Sequence, residues 1–228
     1  MNEKSVGKLG GICAIIIGIL YVLVGITYLL LPEVQKGGPE IEDFAKTLLS
    51  VNQNPTLLIL EYVEFALIGI LAFAAVPAIS GLVQTVNEGW ARWTRNLAYL
   101  GFAVVAISYF RAIALVPWRA AAFAAGDAST RAAIAGIGSV FIDPQGWLSF
   151  GAVGLWFLVV NILALRGGKL PKVLGIIGIV GAISYGLVLA GNVTGIVLLN
   201  MIAAGLGGII LAPIWFIWIG VRLTRTTS

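Results

Sequence analysis

Glu61 and Glu64 stand one helical turn apart inside an apolar run, and Arg111 stands alone inside the next one. Ionisable groups in hydrocarbon are costly and therefore face a partner, a cavity or a ligand rather than lipid. Carboxylates at i and i+3 share a helix face. An arginine on a neighbouring helix can reach such a pair through a charge-assisted, bidentate hydrogen bond. Counting from the midpoints of the runs at ~1.5 Å per residue puts Glu64 and Glu61 about 8 and 13 Å to one side of the bilayer centre, and Arg111 about 7 Å to the same side. The matched depths predict a Glu64–Arg111 ion pair. One arginine cannot neutralise two carboxylates, so a cation, a ligand amine or a bound proton is expected to compensate the second. Tyr21, Tyr109 and Tyr185 also fall slightly outward of the midplane, Tyr109 in the same run as Arg111. Convergence of all six side chains would make a polar, ligand-binding pocket in the outer half of a helical bundle. Asn161 and Asn200 could add hydrogen bonds to it or serve as glue between helices.

The elements that must hold these residues follow from composition. Of 228 residues, 60% are hydrophobic and 11% charged, and the mean hydropathy is +1.02. A soluble surface needs far more charge than that, so the bilayer is the solvent and the first partner. The chain has no histidine and one cysteine, Cys13. The commonest general base and the usual zinc, copper and haem ligands are therefore missing, and neither an intrachain disulfide nor a thiolate cluster can form. No metal site, cofactor or catalytic residue is expected. The absence of a Gly-x-x-x-x-Gly-Lys loop disfavours an ATPase, and the distribution of the basic residues speaks against nucleic acid.

Six runs reach the ~20 residues needed to cross the hydrocarbon core as helix. They are Leu9 to Leu31, Thr56 to Val83, Leu97 to Val116, Trp147 to Leu165, Val173 to Ala190 and Leu199 to Val221. The last two are separated by a turn expected at Gly191 to Thr194. The fold class is thus all-α: a polytopic, six-span transmembrane bundle forming a single domain over residues 1–228. With the amino terminus inside, the inner segments hold nine basic and two acidic residues, and the outer segments four basic and six acidic ones. The positive-inside rule then puts both termini in the cytoplasm of a prokaryotic cell membrane. Trp90, Trp93 and Trp218 fall at the inner boundary and Trp118 and Trp147 at the outer one, where amphipathic rings prefer to lie.

Of the outer connections, Gly38-Pro39 opens an amphipathic surface helix with Ile41, Phe44, Leu48 and Leu49 on its apolar face. The stretch from Pro117 to Gly146 breaks at Gly126, Asp127 and Asp143-Pro144 and reads as short surface helices or as a lid. Lipid tails offer no hydrophobic drive between helices, so contact depends on small residues. Gly11, Gly18 and Gly25 form one stripe and Gly175, Gly178 and Gly181 another, and Pro77 and Pro213 predict kinks. Faces of this kind also suit a second copy of the chain or a subunit of a membrane complex. Lys8 to Tyr21 echoes Lys172 to Tyr185, and Ala106-Ile107-Ser108-Tyr109 repeats as Ala182-Ile183-Ser184-Tyr185. These matches suggest three parallel hairpins.

The segment Leu170-Pro171-Lys172-Val173-Leu174-Gly175-Ile176-Ile177-Gly178, after the turn Arg166-Gly167-Gly168, resembles one found in uncharacterised six-helix bacterial membrane proteins grouped as a domain of unknown function. The resemblance covers about the last third of the chain and implies a helical bundle without assigning an activity. The expected role is noncatalytic: a transporter-like, sensory or accessory membrane protein binding a small molecule or proton through Glu61, Glu64, Arg111, Tyr21, Tyr109 and Tyr185. The rival readings are an enzyme acting on a lipid, with a glutamate as acid or base, and a purely structural subunit. The charge asymmetry makes a direct prediction. Cysteines replacing Lys46 and Arg131 should react with an impermeant thiol reagent in intact cells, and one replacing Lys169 should not; the opposite pattern would invert the topology.

Overall fold

The computed structural model describes residues 3–36 and 41–226. Gly38, Pro39 and Glu40, together with the side chains of Lys4, Ile41, Glu42 and Asp43, lie outside the described residues. No strand occurs among those described. Helix α1 (Glu3–Leu30) leads through a 3-10 turn to α2 (Ile41–Gln53), then α3 (Thr56–Gln84), α4 (Glu88–Ala125), α5 (Ala128–Gly136), α6 (Val153–Arg166), α7 (Lys172–Thr194), α8 (Val197–Ala204) and α9 (Ala212–Thr226). A wide π-helical turn, Trp147–Ala152, runs directly into α6, and a second, Gly205–Leu211, joins α8 to α9. Six segments are long and apolar enough to cross a membrane: α1, α3, α4, α6 with its leading turn, α7, and α8 through α9. The protein is a six-span, all-α membrane bundle.

The spans pack as a closed ring in the order α1, α3, α4, α6, α7, α9, with α9 returning to α1. Glycine makes the closure. A Cβ on Gly11 would lie 2.9 Å from the Gly220 carbonyl oxygen, and one on Gly220 would lie 2.6 Å from that of Gly11. Gly18 and Gly25 continue the stripe against Ile217 and Ile209. On the other side of the ring Gly175, Gly178 and Gly181 face Leu165, Asn161 and Phe157 of α6. Both stripes are helix-contact faces, as their spacing implies. Inside the ring the large rings of Trp156, Phe157, Trp215 and Phe216 interlock, with Phe157 and Trp215 4.3 Å apart edge to face. Buried indole N–H groups need partners. Trp156 Nε1 donates to Ser80 Oγ at 3.0 Å and Trp215 Nε1 to Asn161 Oδ1 at 2.9 Å. The five tryptophans expected at the bilayer boundaries are all exposed.

Several boundaries differ from expectation. α4 does not stop at Val116 but continues through Pro117 to Ala125. The extra turns bury Ala120 and Phe123 against Leu31, Leu58, Leu48 and Val51, and this packing overrides the cost of proline in a helix. Lys172–Thr194 is one unbroken helix, so the expected turn at Gly191 to Thr194 moves to Gly195, which takes φ 74°. The apolar face of α2 is Phe44, Leu48 and Val51 rather than Leu49, which is exposed. Ahead of Pro213 the chain widens into the π turn, where the Ala212 N–H reaches Gly207 O, five residues back. α3 remains helical through Pro77.

The Gly11–Gly220 contact supports a stability prediction. Gly11→Leu should lower the unfolding midpoint of the detergent-purified protein by the equivalent of about 1 to 3 kcal/mol, the usual cost of forcing extra volume into a packed contact. The same change at Gly81, whose Cβ direction is open, should cost markedly less. Equal losses would remove close α1–α9 approach as a determinant of the fold.

Candidate functional site

The three midspan tyrosines converge. Tyr21 of α1 and Tyr185 of α7 share a 2.8 Å hydrogen bond between their hydroxyls. Tyr109 of α4 joins them around a cavity of about 160 Å³. The remaining wall combines the rings of Phe65, Phe102, Phe141 and Phe150 with the aliphatic Ile68, Val105 and Pro144, and Ser108, Asp143 and Ser149 are its polar members. Phe65 stacks on the Tyr109 ring at 4.6 Å, Phe141 meets it edge-on at 5.2 Å, and Phe150 lies 5.9 Å from the Tyr185 ring. The volume matches that of a dry engineered cavity able to hold benzene, roughly 150 Å³.

Part of this wall comes from the connection between α5 and α6, which folds over the bundle end as a lid. Four anchors strap it down. Arg119 Nη1 donates to Gly138 O at 3.1 Å, Ile142 N donates to Ser108 Oγ at 3.2 Å, and Asn192 Nδ2 donates to Gln145 O at 3.2 Å. The fourth strap is Asp143. Its Oδ1 accepts from Trp147 N at 2.9 Å, and its Oδ2 accepts from Leu148 N, Ser149 N and Ser149 Oγ at 2.8 to 2.9 Å. The carboxylate thus satisfies donors at the start of the fourth span that would otherwise be orphaned. Burial alone would push the Asp143 carboxyl up, but these hydrogen bonds outweigh it and hold the group below the usual carboxylate range. Gly146 takes φ 86° to turn the chain from Asp143 into the π turn. Ser149 and Phe150 of that turn enter the cavity wall.

Glu61, Glu64 and Arg111 do not line this cavity. Glu64 is buried, 5% exposed, and accepts a 3.1 Å hydrogen bond from Thr27 Oγ1 of α1. Its Oε2 has no partner among the described residues. Arg111 is exposed, on the outer face of α4 with Ile107, Phe110 and Trp118. The expected Glu64–Arg111 ion pair is therefore replaced by a Glu64–Thr27 bond between α1 and α3. Rotation about α4 is the reason. Arg111 follows Tyr109 by two residues, about 200° around a helix, so a chain that turns Tyr109 inward turns Arg111 outward. Glu61 is half-buried one turn from Phe65 on the same helix face.

Asn161 is wholly buried, donating to Phe157 O and accepting from Trp215, while Asn200 donates to Asn192. Both are interhelical glue. Ser108, Asp143, Ser149 and the four phenylalanines carry no spacing signal in the sequence. Ser108 alone could have been suspected, through the repeated Ala-Ile-Ser-Tyr tetrapeptide. Cys13 is buried in the main core, as its apolar surroundings imply. Among the described residues no three His, Cys, Asp or Glu side chains come together as a metal site.

The profile of a domain of unknown function, DUF4386, matches residues 16–220. The chain belongs to the DUF4386 family. No curated protein and no solved structure matches it. The DUF4386 match extends past the whole cavity wall, from Tyr21 to Tyr185.

The geometry ranks two substitutions. Thr27→Val, which leaves both Glu64 oxygens without a donor, should cost about 1 to 3 kcal/mol. Arg111→Ala should stay within about 0.5 kcal/mol, as exposed positions usually do. Thermal unfolding of the purified variants checks the order, and a larger loss from Arg111→Ala would restore the ion pair.

Proposed function

We propose that this protein binds a small molecule in the tyrosine-lined cavity and works as a transporter-like, sensory or accessory component of a prokaryotic cytoplasmic membrane, with the cavity opening outward. One observation carries the reading: Tyr21, Tyr109 and Tyr185, from three separate spans, meet around one cavity whose polar groups are few and fixed. That is the usual construction of a small-molecule site, an apolar hollow with a small number of placed polar atoms. The orientation rests on the basic residues, nine of which are expected on the face carrying the termini and four on the face carrying α2, α5 and the lid.

An enzymatic reading has less support. A general acid or base must reach the bound substrate within hydrogen-bond distance. Glu61 and Glu64 lie outside the cavity wall, and Glu64 is committed to Thr27. A purely structural role would leave the cavity without use.

Filling the cavity separates these readings. Val105 contributes to its wall from α4, and Val105→Trp should occupy the space, whereas Ile107→Trp adds the same ring to the exposed face of α4. A panel of neutral, cationic and anionic organic compounds of up to about eight heavy atoms, read by thermal shift on the purified protein, should include compounds that stabilise wild type and Ile107→Trp but not Val105→Trp. A bound compound at 100 times its Kd adds about 2.7 kcal/mol. If no compound stabilises wild type, or if Val105→Trp responds as wild type does, the ligand-site reading is lost.

A further inference from the structure

The wall of the cavity also selects among ligand charges, and this selection rests on the reading of the cavity as a ligand site. Seven aromatic rings surround about 160 Å³: the three tyrosines with Phe65, Phe102, Phe141 and Phe150. An aromatic face carries negative potential, and a cation within about 6 Å of a ring centroid is attracted by it, most strongly where water is excluded. Enclosure of a quaternary or alkylated ammonium by several rings is the functional form of that attraction. A hollow built only to exclude water needs no such preference for rings over aliphatic side chains.

The charged groups agree with the rings. Among the described residues lining the cavity there is no lysine or arginine, and the one charged side chain is Asp143. Its Oδ2 is saturated by three donors, whereas Oδ1 accepts only from Trp147 N and keeps an open acceptor position. Arg111, two residues beyond Tyr109, is turned to the exposed face of α4. Arg119 is about two turns beyond Arg111 along that helix and is held by the Gly138 carbonyl. Glu61, half-buried one turn from Phe65, is a further carboxyl group beside the wall. An anion would meet no cationic side chain here, only neutral hydroxyl donors, ring faces and the Asp143 carboxylate. In the Tyr21–Tyr185 pair one hydroxyl donates to the other, so the second retains a proton to donate to a neutral oxygen at the far end of a ligand.

We propose that the cavity binds a small organic cation, an alkylated ammonium of about six to eight heavy atoms, with the cationic head against the aromatic wall to which Tyr109, Phe65 and Phe141 belong and Asp143 as the charged group of that wall. Shape alone would serve a neutral molecule of the same size equally well. The difference between the two is what an experiment can read.

Choline, its uncharged carbon analogue 3,3-dimethylbutan-1-ol and the carboxylate 3,3-dimethylbutanoate have nearly the same shape and differ in charge. Titrated calorimetrically into the full chain in maltoside detergent, which carries no choline headgroup, choline should bind roughly tenfold or more tighter than the alcohol, and the carboxylate weakest. Asp143→Asn keeps an oxygen to accept the Leu148 and Ser149 donors and removes the charge, so choline should fall toward the alcohol. Tyr109→Leu should weaken choline more than the alcohol, while Tyr109→Phe, which keeps the ring, should hold the preference. The tyrosine pair decides the matter if Asp143→Asn does not fold. Equal binding of choline and the alcohol, or tighter binding of the carboxylate, overturns the cation assignment and leaves the ligand site standing. A choline preference that survives both Asp143→Asn and Tyr109→Leu also overturns it. Failure of all three probes, together with no stabilising compound in the wider panel, removes the ligand site itself.

Discussion

The approach of α1 to α9 at Gly11 and Gly220 is the contact on which the rest of the bundle depends. In a bilayer nothing comparable to the hydrophobic effect drives two apolar helices together, so the energy of association must come from close packing and from polar groups that find partners. Two glycines facing each other bring the backbones to the distance at which a Cβ on either would collide with the opposite carbonyl. First and last spans are thereby locked side by side, and a chain of six helices becomes a closed ring. Closure has a consequence far from the glycines: it fixes α1 so that Tyr21 reaches Tyr185 of α7, a residue 164 positions away. The cavity exists because the ring closes.

Polar groups inside that ring obey a stricter rule than in a soluble core, because no water can rescue an unmet donor. The indoles of Trp156 and Trp215 are aimed at Ser80 and Asn161, and the Glu64 carboxyl meets Thr27. Each bond joins two different spans, so each also fixes rotation of one helix against another. The lid follows the same logic at the bundle end. Ser108, Asp143 and Arg119 each answer a backbone group of the connection or of the π turn that follows it. A segment with little core of its own is held by these polar contacts, and in being held it supplies Phe141 and Asp143 to the cavity.

What the sequence could reveal divides along the same physical line. Span number and depth are written in runs of apolar residues, and the six spans and the shared level of Tyr21, Tyr109 and Tyr185 were legible for that reason. Glycine stripes spaced by seven or three residues name a contact face, although not the helix on the other side of it. Rotation is harder to read, since apolar positions surround a membrane helix almost evenly. The pairing of Glu64 with Arg111 failed there: the two match in depth, but Tyr109 and Arg111 cannot both turn inward from one helix. The spacing of two residues already contained that conflict. Asp143 was legible only as a chain break, because its meaning depends on a loop returning over α4 to Ser108. The extension of α4 beyond Pro117 depends likewise on Ala120 and Phe123 meeting the partners in α1, α2 and α3 that bury them.

The placement of the tyrosines also bears on how the bundle is organised. α1, α4 and α7 alternate around the ring with α3, α6 and α9, and each contributes one tyrosine to the same cavity at the position where its sequence echoes the others. Tyr109 and Tyr185 end the same tetrapeptide, in which the alanine and serine are buried and the isoleucine is exposed in both copies. Tyr21 and Tyr185 close the longer echo and bond to each other. Three helices running in one direction, alternating with three running in the other, are the arrangement that parallel hairpin repeats would produce. Within it the three hairpins are not equivalent. The lid enters between α4 and α6, and the two π turns open the start of the fourth span and the middle of the sixth. A site of this kind needs asymmetry to tell one end of a ligand from the other, and the lid, by adding the one carboxylate to a wall to which three spans each bring a tyrosine, supplies it.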